Sequence, residues 1–157
     1  MSPRKSKSVL VAELIGEFRA TANQDNALDH LAAERLGVSE TDLHCLNIIE
    51  NNHGLSAGEL AEQSGLTPGA VTGVIDRLER VGYALRVPDP ADRRRVTVEV
   101  TPAFKQAAER IWGPIAADWH TTVVDQFTAA EVERIIDFLQ TTLEIGNRHL
   151  SQLHETG

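Results

Sequence analysis

The residues best suited to chemistry cluster in the second half of the chain, where Arg86 is followed by Asp92, Arg93, Arg94 and Arg95. Guanidinium groups gathered in this way bind phosphate and the edges of bases through charge-assisted hydrogen bonds. The chemistry they offer is recognition, with no covalent step. The groupings that would support catalysis are missing: there is no GxSxG, no P-loop, no HExxH and no nucleophile set beside a base. The six histidines show no tight metal-ligand spacing, and His30, His44 and His120 converge only if the fold brings them together. Neither a metal nor a cofactor is expected. Cys45 is the single cysteine, so it makes no internal disulfide, and its place beside Leu46 on an amphipathic stretch reads as a buried structural thiol.

The arginines need elements to hold them, and residues 67–95 supply a helix followed by a β-hairpin. Thr67 is a good N-cap and Pro68 suits the first helical position. Val71, Val74, Ile75 and Leu78 recur at the spacing of one helical face, and Gly82 closes the helix. The other side carries Ala70, Thr72, Gly73, Asp76, Arg77 and Arg80, small and polar at first and more basic further along. The segments YALRV and RVTVEVT then alternate with period two around Pro88–Asp92, which places Val96, Val98 and Val100 on one face and Arg95, Thr97 and Glu99 on the other. The tip and return strand of this hairpin carry Arg93, Arg94 and Arg95.

Upstream, residues 9–36 show helical spacing with a weak middle, TANQDNA, so one kinked helix or two successive helices is expected, ending at Gly37. Ser39 starts a helix that carries Leu43, Leu46 and Ile49 inward. Ser56 and Glu59 form a capping-box sequence opening a helix of about two turns. Ala61, Gly65 and Val71 supply the small contact, the turn glycine and the apolar anchor that a helix-turn-helix requires. Downstream, Thr101-Pro102 opens a long helix in which Gly113-Pro114 predicts a kink or break, and Thr128 with Glu131 opens a final helix. Trp112 and Trp119 share one helical face and read as packing or interface residues. The terminal helices carry more apolar surface than a small lobe can cover, which points to a second copy of the chain.

Charge distribution sharpens the functional reading. The chain of 157 residues has a net charge of −8, which argues against a general nucleic-acid coat. Residues 1–75 carry 5 basic and 10 acidic side chains, residues 76–95 carry 6 and 4, and residues 96–157 carry 4 and 9. Of the three segments only 76–95 is net positive, as suits a protein that meets DNA through one small surface with strongly salt-dependent affinity. There is no run of 18 apolar residues and the N-terminus lacks a secretory pattern, so a cytoplasmic location is expected.

With these elements in order, the chain resembles the MarR family of bacterial transcription regulators. The resemblance is carried by LAEQSGLTPGAVTGVIDRLERVGY at 60–83, DPADRRRVTVEVT at 89–101 and the Thr101-Pro102 start of the next helix. Its most specific part is Asp92-x-Arg94. It implies a mainly α fold with a small β-hairpin: a winged helix-turn-helix lobe over 37–101, flanked by dimerisation helices over 1–36 and 102–157. It further implies a homodimer on a near-palindromic operator in double-stranded DNA, acting as a repressor and released by a small aromatic or phenolic effector.

In that comparison Arg94 matches the wing arginine placed in the minor groove, with Asp92 holding it. Thr67 and the N–H groups near Gly69 and Ala70 suit a phosphate, and Ala70 and Thr72 suit a base edge or thymine methyl. Arg77 is a phosphate or base candidate, and Arg86, Arg93 and Arg95 add backbone contacts. Gly69 and Gly73 depart from relatives that carry longer polar side chains there, so readout rests on few side chains plus DNA shape. An effector pocket is placed near His30, His44 and Trp112. The competing expectations are an enzyme, a winged helix that binds only protein, and a DNA-binding protein that ignores small ligands.

Overall fold

The computed structural model describes residues 5–89, 92 and 95–155. Six helices and one hairpin follow in the order α1 (Lys7–Leu36), α2 (Glu40–Asn51), α3 (Ala57–Ser64), α4 (Pro68–Val81), β1 (Ala84–Pro88), β2 (Val96–Val100), α5 (Pro102–Gln126) and α6 (Ala129–Glu155). The mainly helical fold with a small hairpin is therefore as expected. The chain divides into two compact units, Met1–Ile111 and Trp112–Gly157.

Local chemistry sets the boundaries in the first unit. The side chains of Ser39, Ser56 and Thr67 each accept a hydrogen bond from the backbone N–H three residues on, and Gly37, Gly65 and Gly82 take left-handed conformations at the ends of α1, α3 and α4. Each such glycine sits where a Cβ would strain the backbone. The capping box at Ser56 is complete, since Glu59 Oε2 accepts from both the N–H and the hydroxyl of Ser56 at 2.7 Å. Between α2 and α3, Leu55 pairs with the hairpin through its carbonyl, which accepts from the N–H of Val98 at 2.7 Å.

The core draws on nearly every element of this unit. Leu43, Leu46 and Ile49 come from α2, Leu60 and Ala61 from α3, and Val71, Val74, Ile75 and Leu78 from α4. Ala84 and Val98 come from the hairpin, Phe104 and Ala108 from α5, and Ala32, Ala33 and Leu36 from the last turns of α1. Cys45 is buried among them, and burial together with the Asp42 charge raises its thiol pKa, as suits a structural role. A clasp joins α4 to α5. The Thr101 hydroxyl donates to the Gly82 carbonyl at 2.6 Å and accepts from the N–H of Phe104 at 3.2 Å, while the rings of Tyr83 and Phe104 pack 5.7 Å apart.

Three expectations change. Residues 7–36 form one helix, which removes the alternative of two successive helices, since nothing in TANQDNA removes a backbone donor. Helix α5 runs through Gly113-Pro114 without a break, with the proline held inside the helix. The simple two-faced alternation of β2 also fails. Thr97 is 1% exposed while Val96 is 51% exposed, as Thr97 is β-branched like valine and its hydroxyl finds the Val87 carbonyl at 3.4 Å, while Val96 pairs with Pro88 at the outer end of the ladder.

The second unit comprises the rest of α5 and α6. Thr128 and Glu131 form the expected reciprocal cap. Its apolar residues are left outside: Trp119, Ile136, Leu139, Leu143, Leu150 and Leu153 are all exposed, Leu153 at 71%. In the first unit, Leu10, Leu14, Ile15 and Phe18 of α1 are exposed as well.

Two outcomes follow from this packing. Phe104→Ala removes a fully buried ring from the core and lowers the unfolding free energy by about 3–5 kcal/mol, measured by urea denaturation at fixed protein concentration. The Glu59 carboxyl is drawn down from 4.5 to about 2 by hydrogen bonds from the backbone and side chain of Ser56 and by Arg95. A depressed carboxyl stabilises the fold above its unfolded value and loses that contribution as pH falls through its folded value. The stability gap between wild type and Glu59→Gln is thus widest above pH 4.5 and closes as pH approaches about 2, which a series of thermal melts reads directly.

Candidate nucleic-acid interface

Helix α4 buries one face completely, and this decides what its other side can do. At about 3.6 residues per turn, Gly69, Gly73, Asp76 and Arg80 lie opposite the buried stripe, while Ala70 and Arg77 occupy one flank and Thr72 the other. At the N-terminal end Thr67 Oγ1 accepts from the Ala70 N–H at 3.3 Å, and the Thr72 hydroxyl donates to the Pro68 carbonyl at 3.0 Å. Thr67, Gly69, Ala70 and Thr72 are all exposed. The first turn of α4 is a narrow, uncharged edge in which Thr67 caps the Ala70 N–H and Gly69 carries no side chain. A Cβ added at Gly69 would meet nothing within 4 Å.

Arg77, Arg86 and Arg95, read from the sequence as phosphate or base candidates, each lie against carboxylates. Arg77 turns back along α4 and grips Asp42 of α2 with two bonds, Nε to Oδ2 at 3.1 Å and Nη2 to Oδ1 at 2.6 Å. Burial works to raise the Asp42 carboxyl, but hydrogen bonds from Arg77 and Ser39 and the Arg77 charge outweigh it and hold the pKa below the usual range. Arg86 of β1 pairs with Asp76 at 2.8 Å and with Glu79, both on α4, and its backbone N–H donates to Glu79 at 3.0 Å. Arg95, just before β2, pairs with Glu59 of α3 and lies 3.8 Å from Asp89.

The hairpin is antiparallel with Arg86 opposite Val98, and its ladder extends past the strands through the Asp89 N–H to the Arg95 carbonyl at 2.9 Å. Asp92 sits at the turn, its N–H donating to Asp89 Oδ1 at 3.3 Å and its carbonyl accepting from Arg95 at 2.8 Å. Arg93 and Arg94, the two remaining candidates of the tip, lie outside the described residues. The structure thus brings the start of α4 and the hairpin together on one lobe, with Arg86 fastening β1 to α4 and Arg95 fastening the base of β2 to α3. These carboxylate partners, 35 or 36 residues away for Arg77 and Arg95, had no sequence signal.

The three effector candidates fall into different surroundings. His30 Nδ1 lies 2.7 Å from Glu40 Oε1, and that hydrogen bond, with the charges of Glu40 and Glu34, raises its pKa. Glu40 and His44 line a cavity of about 390 Å³ with Asn26, Asp29, Thr41, Leu43 and Leu66. Trp112 is half-buried on α5 and belongs to the second unit. Among the described residues no group of three or more His, Cys, Asp or Glu side chains is placed to hold a metal ion, and no helix is long and apolar enough to cross a membrane.

Comparison with known proteins agrees with this geometry. Residues 38–96 match the MarR family. The chain is similar to the HTH-type transcriptional regulator YcgE of Bacillus subtilis, 32% identical over 155 residues that cover 99% of this chain and 100% of that one. Its fold is similar to that of RV1404 from Mycobacterium tuberculosis, with a TM-score of 0.63 at 20% identity, covering 93% of this chain and 98% of the other. It is similar too to S. aureus MepR bound to an oligodeoxyribonucleotide, with a TM-score of 0.53 at 22% identity and coverage of 90% and 98%. An end-to-end relative, the family match over the lobe and a helix-turn-helix with its wing lead to one conclusion: the chain belongs to the MarR family and is a DNA-binding transcription regulator, with no enzymatic role.

Proposed function

We propose that the protein works as a cytoplasmic homodimeric repressor on a near-palindromic operator and leaves DNA when a small aromatic or phenolic molecule binds. The observation that carries the dimer is the exposed apolar surface of α1 and α6. Among the described residues fifteen large apolar side chains, seven on α1 and eight on α6, stay exposed at a cost of up to about 1.5–3 kcal/mol each relative to full burial, and a second copy of the same chain removes that cost. Residues 1–36 and 102–157 then serve association, and 37–101 serves DNA. A two-fold pair of α4 helices reads two half-sites about one helical turn apart.

On each half-site, Thr67, Gly69 and Ala70 bring helix N–H groups to a phosphate, and Thr72 presents its methyl group to a base. Arg94, with Asp92 beside it and Arg93 next in line, enters the minor groove. Arg86 and Arg95 support the wing that carries them. The effector reading is favoured by the cavity at His44, which borders both α2 and Leu66 in the turn before α4, so that a ligand there bears on the helix-turn-helix.

The repressor reading is tested with a mobility-shift assay on the gene's own upstream region, which shows sequence-preferring binding that weakens with salt. Equal affinity for competitor DNA at every salt concentration would overturn it. Arg94→Ala costs about 1–3 kcal/mol of that binding, and an unchanged affinity removes Arg94 from the interface. Sedimentation equilibrium gives twice the chain mass. In a screen of phenolic and aromatic acids, at least one ligand lowers DNA affinity in wild type and loses its effect in His44→Ala; a screen that shifts nothing leaves a repressor without an effector.

A further inference from the structure

Asp42 is the one charged side chain, among the described residues, that is buried, at 4% exposure. Burying a carboxylate is costly, and an ion pair inside a protein is often no more stabilising than apolar residues of the same size. Stability alone therefore gives no reason for a charge here, in a core otherwise built from Leu43, Cys45, Leu46 and Ile49. What the pair does provide is geometry. Asp42 is the third residue of α2, its N–H donates to the Ser39 hydroxyl at 3.1 Å, and both its oxygens are taken by the Nε–Nη2 edge of Arg77. A fork held at two points fixes direction as well as distance.

A second observation concerns the path of Arg77. Its Nη1 lies over Gly73, 3.5 Å from where a Cβ would stand, so the side chain is laid back along α4 toward its N-terminus. Its Nε–Nη2 edge reaches α2 from the flank of α4, while Nη1 stays at the border of the exposed face to which Gly73 belongs. Apolar contacts in the core permit small rotations of a helix about its axis, whereas a bidentate bond from the flank opposes them. We infer that Asp42 and Arg77 are positioning residues for DNA reading, a strut from α2 that sets the rotation of α4, and that Arg77 acts through Asp42 and not as a phosphate contact.

The test uses the full-length protein, a fluorescein-labelled duplex of the gene's upstream region and a random duplex, with affinities taken by anisotropy across a salt series. Arg77→Lys keeps the charge and loses the fork. It lowers affinity for the promoter duplex about tenfold, leaves the random duplex unaffected, and keeps the slope of log affinity against log salt at its wild-type value. Arg77→Met and the double variant Asp42→Asn/Arg77→Met show the same loss with the same slope. The double variant is no worse than Arg77→Met, since the two residues act as one unit. A phosphate contact gives the opposite pattern: Arg77→Lys binds normally, while Arg77→Met weakens both duplexes and lowers the slope by about 1. That result overturns the inference. So does a double variant that binds the promoter duplex like wild type, which would make the pair purely structural. Should Asp42→Asn prevent folding, Arg77→Lys and Arg77→Met decide the matter by themselves.

Discussion

The burial of one face of α4 is the constraint on which the lobe depends. Val71, Val74, Ile75 and Leu78 are each almost wholly removed from water, worth about 1.5–3 kcal/mol apiece, and the elements that cover them are those that frame the DNA-facing side. Helix α2 supplies Leu43 and Leu46, α3 supplies Leu60, and α5 supplies Phe104. The clasp of Thr101 on Gly82 then makes the end of α4 and the start of α5 one piece. That bond and the Tyr83–Phe104 contact fix the start of α5 to the end of α4.

Electrostatics in this acidic chain are arranged for placement more than for attraction. The arginines at 77, 86 and 95 each lie against carboxylates from another element, joining α4 to α2, β1 to α4 and the base of β2 to α3. The pairs of Arg86 and Arg95, part-exposed on both sides, contribute little to stability, typically below about 1 kcal/mol. Their value is directional, since each ties one of the moving parts of a winged helix to a neighbour. Glu59 does two such tasks at once, capping α3 and receiving Arg95, and its depressed pKa records both.

How much of this was legible in the sequence depends on the distance over which each feature is determined. Caps were fully legible: Ser39, Ser56, Thr67, Thr101 and Thr128 act within three residues of themselves, and a local rule suffices. The core stripe of α4 was legible for the same reason. Thr97 was misplaced because burial in a two-stranded hairpin depends on Leu55 and the helices packed over it, which alternation cannot see. Of the kink or break expected at Gly113-Pro114, the break is absent, since α5 carries Pro114 inside a continuous helix. Arg77 and Arg95 read as DNA-facing because the carboxylates they meet arrive from distant segments.

If α4 reads DNA as proposed, these features together account for how a helix with so few side chains discriminates one sequence from another. Gly69, Ala70 and Gly73 carry no long donors, so little energy is available from individual base contacts, each worth at best about 1–3 kcal/mol. Close approach of the backbone compensates, but close approach is unforgiving of rotation. A helix with long flexible side chains can adjust them when its axis turns slightly, whereas one that presents backbone and methyl groups has nothing to adjust. The lobe must then fix the helix more firmly than apolar packing alone does. A buried carboxylate on α2, two bonds from Arg77 and a clasp at the far end of α4 are the form this takes. The scarcity of reading side chains and the presence of a buried charge are thus two sides of one physical requirement.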